Sequence, residues 1–169
     1  KKKIEPIKKA EVKAPDTKIK KVKEFVLPDL NLRTETVLSL FDDVEYDLKK
    51  VRKYKLVKPI YFTQFPKDLD EISSVQLKKE TFIKIVLPLV VAENQKILDD
   101  KRKFLKISTK KNTSDNEKFW LRQKLKEYKI KNGSMAELLM RMDIIPVSIA
   151  IAQAAKESGW GTSRFALEG

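Results

Sequence analysis

The feature that most restricts folding is a 3.6-residue rhythm of apolar side chains with no convincing strand alternation beside it. Val37, Leu40, Phe41, Val44, Leu48 and Val51 recur at helical spacing. They predict one amphipathic helix to about Lys53, with Thr34 as its N-cap and Glu35 in the first turn, where the helix dipole favours negative charge. An apolar connector bounded by Pro59 and Pro66 follows, then a second helix from about Ser74 to Phe104. Pro88 removes a backbone donor inside that helix and predicts a kink or break.

Lys106 to Asn116 reads as a polar loop ending in Ser114 or Asp115 as a cap. Phe119, Trp120, Leu121, Leu125 and Tyr128 mark a third helix, which Asn132-Gly133 is expected to stop. Ser134 and Glu137 have capping-box spacing, and Pro146 sits where a first helical turn accepts proline. The helix beginning there, PVSIAIAQAAKESGW, is apolar on nearly every face, and such a helix is normally buried. No internal repeat is visible. The fold class is mostly α.

Chemistry is narrowed by what is missing. The chain has no cysteine and no histidine, which excludes disulfides, thiolate nucleophiles, serine–histidine triads and histidine-rich zinc sites. No metal or other cofactor is expected. Acid–base chemistry near neutral pH falls to a carboxyl group of raised pKa or a lysine of depressed pKa. The 169 residues carry a formal charge of +13, so polyanions of any kind are attracted. Charge alone does not choose between nucleic acid, anionic lipid and an acidic wall polymer.

Residues 1–24 form a lysine-rich arm with Pro6, Pro15 and few large apolar side chains, a composition that predicts disorder. It reads as a solvated tether or as a segment holding the protein near an anionic membrane surface. Residues 25–116 make a helical N-terminal region, entered through the extended stretch Phe25 to Leu32. The apolar run Phe82 to Ala92 falls short of the roughly 20 residues that span a bilayer. No signal peptide is visible, and the chain reads as a fragment or processed form of something longer.

The most pointed local pattern is Ala152 to Phe165, AQAAKESGWGTSRF. Glu157 lies at the C-terminal end of an apolar helix, where the dipole disfavours its ionised form and desolvation beside Trp160 pushes the same way. A raised carboxyl pKa is what a proton donor to a glycosidic oxygen requires. Gly159 and Gly161 permit a tight reversal and close substrate approach, and Trp160 offers a face for a sugar ring. The same residues also suit surface charge, an ordinary glycine C-cap and a core tryptophan.

The stretch IPVSIAIAQAAKESGWGTSRFA, with FDDVEYDLKKVR, PIYFTQFPKDLDEI and FIKIVLPLVVAEN upstream, resembles bacterial Bax-type proteins carrying a mannosyl-glycoprotein endo-β-N-acetylglucosaminidase-like domain of glycoside hydrolase family 73. The resemblance covers about Leu27 to Gly169. It implies a lysozyme-like helical domain, whose first part is residues 117–169, cleaving the β-1,4 bond after N-acetylglucosamine in peptidoglycan glycan strands. It places the general acid at Glu157 and substrate contacts at Ser158, Gly159, Trp160, Gly161 and Arg164. It further implies the periplasm or cell envelope.

Family members continue past the last glycine with an NNLFG-like stretch and a lobe bearing further cleft residues. The chain alone is therefore expected to be inactive or nearly so. Asp143 is no second carboxylate, since a helical rise of about 1.5 Å per residue sets it roughly 20 Å from Glu157, beyond the about 5–9.5 Å of catalytic pairs. Three other readings compete. A lytic transglycosylase would leave anhydro-sugar ends, and a non-catalytic wall-binding or scaffold module would ignore Glu157→Gln. Nucleic-acid binding rests on charge alone, without a helix-turn-helix, zinc or RNP-type pattern.

Overall fold

Three of the helices end in one way, and that way sets where the aromatic and branched side chains go. The computed structural model describes residues 32–168, which fall in one compact unit; the basic arm and most of the extended lead-in lie outside them. The order is α1 (Thr34–Asp43), α2 (Leu48–Tyr54), a 3-10 turn (Leu69–Glu71), α3 (Val75–Ser108), α4 (Asp115–Glu127), α5 (Met135–Arg141), α6 (Val147–Ser158) and α7 (Arg164–Glu168). No strand occurs among the described residues, so the protein is mostly α.

The single helix expected from Thr34 to Lys53 is two. After α1, Glu45 takes a left-handed conformation (φ 51°). Tyr46 N–H then donates to Phe41 O at 2.7 Å and Glu45 N–H to Asp42 O at 2.9 Å. This is a Schellman closure, which satisfies the last carbonyls of a helix. Its apolar contact is the edge-to-face pair Phe41–Tyr46, with centroids 5.4 Å apart. Asp47 then opens α2 by accepting from Lys49 N–H at 2.6 Å. Thr34 is not the cap of α1 but its first residue, and Asp68 does the capping from 34 residues away. Its Oδ1 accepts from Thr34 N–H (2.8 Å) and Thr34 Oγ1 (2.9 Å).

The same closure ends α4. Lys129 is left-handed (φ 55°), and Ile130 N–H donates to Leu125 O at 2.8 Å. The stop therefore comes before Asn132-Gly133, which instead turns the chain into α5. Ser114 caps α4 in a reciprocal box with Glu117. At α5 only half the expected box forms. Ser134 Oγ accepts from Glu137 N–H, while Ser134 N–H goes to Asn132 Oδ1.

Helix α3 is the spine. Ser74 caps it, and it runs four residues beyond Phe104 and continues through Pro88 without a break. Pro88 is fully buried beside Ile85, Val86 and Leu87. Tertiary packing here outweighs the loss of one helical hydrogen bond, which costs ~3 kcal/mol in an open helix. Three apolar clusters are strung along it. Val37, Phe41, Tyr46 and Ile85 join α1 to α3. Phe82, Val86 and Ala155 join α3 to α6. Phe104, Ile130, Leu138 and Met142 gather α4 and α5 at the other end.

Helix α6 departs most from expectation. Its composition predicts burial on every side, yet Ala155 is its only buried residue, and Ile149 is 61% exposed. Its inward stripe of Ile151, Ala154 and Ala155 packs with Phe82 and Val86 of α3, in a cluster that also holds Phe65 and Trp160. Its other side chains include Ser148, Ile149, Ala152, Gln153, Lys156 and Glu157, all of them exposed.

Candidate functional site

The segment that carries the sequence motif is built by α6 and the turn after it. Asn94 on α3 fixes where α6 begins: its Nδ2 donates to Ile145 O at 2.8 Å and its Oδ1 accepts from Ile145 N–H at 3.0 Å. Pro146 follows in an extended conformation, and α6 starts at Val147. At the far end, Gly159 is left-handed (φ 57°) and Trp160 N–H returns to Ala155 O at 2.9 Å. Trp160 is thereby tucked back on the core as Tyr46 and Ile130 are elsewhere.

Glu157 stands in the last turn of α6 and is exposed. Gln153, one turn earlier, donates Nε2 to Glu157 Oε1 at 2.8 Å, an i,i+4 pairing that helical geometry favours. The desolvated environment expected from an all-round buried helix is absent, because α6 buries only Ala155 and leaves Glu157 open to solvent. Nor does the indole shelter the carboxylate. Trp160 meets Phe82 edge to face at 5.6 Å, and Lys79 Nζ lies 4.9 Å from its ring centroid. One ring face is thus taken by a cation.

The other motif residues shape the turn. Ser158 Oγ donates to Ala154 O at 2.6 Å and accepts from Gly161 N–H at 3.0 Å. Ser163 N–H donates to Ser158 O at 2.9 Å. Gly159 O accepts from Thr162 Oγ1 at 2.7 Å. Gly161 is buried with φ 80°, and a Cβ there would meet Phe65 Cδ1 at 2.8 Å and Leu69 Cδ2 at 3.1 Å. The close approach that Gly161 permits is made by Phe65, whose ring stacks on Phe82. Arg164 is exposed at the start of α7. So Ser158, Gly159, Trp160 and Gly161 come together as one locked turn, with Glu157 outside it.

Asp143 lies before the other end of α6. It pairs with Lys101 at 3.3 Å and accepts from Ile144 N–H at 3.0 Å. That backbone donor, and then Lys101, hold its carboxyl below the usual range. A groove of about 680 Å³ runs between α1–α2 and α3 and is lined by residues such as Phe41, Tyr46, Lys49 and Glu80. None of the motif residues line it.

Two residues escaped the sequence reading. Gln153 is legible in principle as the i−4 neighbour of Glu157. Asn94 is not, since its partner is a backbone 51 residues away.

No family model matches the chain, and no solved structure matches it. A curated relative does. The chain is similar to Protein bax of Escherichia coli (strain K12). It is 33% identical to it over 105 residues, which cover 59% of this chain and 38% of the relative. The likeness is thus to a Bax-type bacterial protein, of whose length this chain spans about two fifths. No described helix is long and apolar enough to cross a membrane.

Proposed function

We propose that the protein cleaves the β-1,4 bond after N-acetylglucosamine in peptidoglycan, with Glu157 as the proton donor. The observation that carries this is a stripe on the open face of α6. Ile149, Gln153 and Glu157 follow one another at helical spacing and are all exposed, and Gln153 fixes the carboxylate at the end of the row. Glu157 is therefore presented on the open face of α6, just ahead of the Ser158–Gly161 turn. A sugar chain seated along the stripe would bring apolar surface and exclude water around that carboxylate, which favours its protonated form. The likeness to a Bax-type protein supports the same reading. The cell envelope is the compartment that it implies, with the basic arm at an anionic membrane surface.

A second reading is a non-catalytic wall-binding or scaffold module. It is favoured by the exposure of Glu157 together with the packing of Trp160 against Phe82.

Glu157→Gln in the full-length protein separates the two. With purified peptidoglycan, the hydrolase reading expects release of reducing ends to fall at least a hundredfold while glycan pull-down is retained. Unchanged turnover would overturn it. Anhydro-sugar products from the wild type would assign a lytic transglycosylase instead.

A further inference from the structure

Helix α4 sets its apolar side chains inward and presents a row of cations on the opposite side. On the inner side Trp120, Leu121 and Leu125 pack with Phe104, and Lys124 is paired with Asp100 (2.6 Å) and Glu127 (2.7 Å). Lys118, Phe119, Arg122 and Lys126 fall together on the opposite side by their i, i+3 and i+4 spacing, and all four are exposed. Asp115, in the first turn, is the acid on that side, and it is spent on Lys118 at 3.1 Å. Arg122 and Lys126 have no carboxylate partner among the described residues. Nor have Lys129 and Lys131, exposed just beyond the helix.

In the middle of this uncompensated charge stands Phe119, 55% exposed. It is one of several large apolar side chains that the fold leaves open, and no cluster claims it.

We infer that this face of α4 docks on an anionic lipid surface, with Phe119 entering among the headgroups and Lys118, Arg122, Lys126, Lys129 and Lys131 lying over them. Charge complementarity selects an anionic partner. The form of the face selects a sheet of headgroups over a nucleic-acid strand. It is convex, one helix wide, and lysines outnumber its single arginine. It also holds one aromatic side chain, where strand binding uses several as stacking platforms for successive bases. A short row of lysines suits a diffuse surface potential, whereas bidentate phosphate recognition favours arginine. Each cation brought near acidic headgroups strengthens partitioning roughly fivefold. The basic arm adds a second such signal in the same chain, as stable attachment usually requires.

The test uses the full chain and extruded vesicles of equal phosphatidylglycerol and phosphatidylcholine in 150 mM NaCl, read by co-sedimentation. Arg122→Glu/Lys126→Glu is compared with Lys49→Glu/Arg52→Glu, an equal charge change on α2. Both leave the arm intact and alter only exposed side chains, and far-UV circular dichroism checks that each stays helical. The α4 reversal is expected to weaken partitioning at least thirtyfold and the α2 reversal no more than threefold. Phe119→Ser, at unchanged charge, is expected to weaken it several-fold. Equal losses from the two reversals, an indifferent Phe119→Ser, or no binding by the wild type would each overturn the inference. So would a single-stranded DNA 20-mer whose binding is lost with the α4 reversal while vesicle binding persists.

Discussion

Asn94 and Ile145 meet through both ends of one amide, Nδ2 donating to the Ile145 carbonyl and Oδ1 accepting from its N–H, at 2.8 and 3.0 Å. The pair spans 51 residues and ties the middle of α3 to the residue just before Pro146. Asn94→Ala is expected to lower stability by about 1–2 kcal/mol, the scale of a lost two-bond contact at a partly open site. Asn94→Asp can still accept but faces the Ile145 carbonyl with a second acceptor, so it should do no better than alanine. Urea midpoints measure both, and amide exchange at Val147 to Ala150 should quicken in each.

Gly161 and Gly133 share a left-handed backbone but not a neighbourhood. A Cβ at Gly133 meets nothing within 4 Å, whereas at Gly161 it would press on Phe65 and Leu69. Gly133→Ala should therefore cost only the conformational strain, about 1 kcal/mol. Gly161→Ala should cost roughly 2–4 kcal/mol, because the ring of Phe65 is held by its stack on Phe82. Thermal unfolding of the two variants tests the difference. In a double-mutant cycle, Phe65→Ala should relieve part of the Gly161→Ala penalty.

The Tyr46 hydroxyl is buried and meets no protein partner, and burial pushes its pKa up to about 12. Tyr46→Phe removes the unpaired group and keeps the edge-to-face contact with Phe41, so stability should be unchanged or higher by up to about 1 kcal/mol. Tyr46→Ala should cost about 3–5 kcal/mol. The fold favours the neutral phenol. Its contribution is therefore whole below pH 10 and lost as pH rises towards 12. Absorbance at the phenolate band should show one tyrosine ionising last, and Tyr46→Phe should abolish that step.

Glu117 closes the start of α4. Lys110, then the Ser114 backbone and side chain, lower its pKa from 4.5 to about 2. A depressed carboxyl stabilises the fold above its unfolded value, and that stabilisation is lost as pH falls from 4.5 towards 2. The stability advantage of the wild type over Glu117→Gln should accordingly be flat above pH 5 and shrink through that window. Denaturant titrations at pH 6, 4 and 2.5 would show it, and a constant gap would refute it.

How far the sequence disclosed this fold varies by kind of signal. Ser74, Ser114 and Ser134 are legible as caps because their side chains compete locally for the first backbone donors. The split between α1 and α2 is not legible from periodicity, since Val37, Phe41, Val44, Leu48 and Val51 keep helical step across it. Glu45 and Lys129 take left-handed turns that glycine would have announced. What drives them there is the apolar residue that follows, Tyr46 or Ile130, returning to the core.

For the site, the place of Glu157 at the end of α6 was readable. Its surroundings were not. Hydrophobicity all round a helix shows that it can be covered and does not say by what. Trp160 illustrates the same limit: in sequence its indole suits a sugar platform, and in the fold it completes the closure of α6.

The run of α3 through Pro88 has a further consequence. The near half of the rod holds α1 and α6 through Phe82, Ile85 and Val86, while the far half holds α4 and α5 through Phe104. The two groups bury their side chains in separate clusters along one backbone, and proline has removed a rung of it. Opening can therefore start among α4 and α5 and halt before it reaches the near half, so protection from solvent deuterium should step down along the rod instead of being one value throughout.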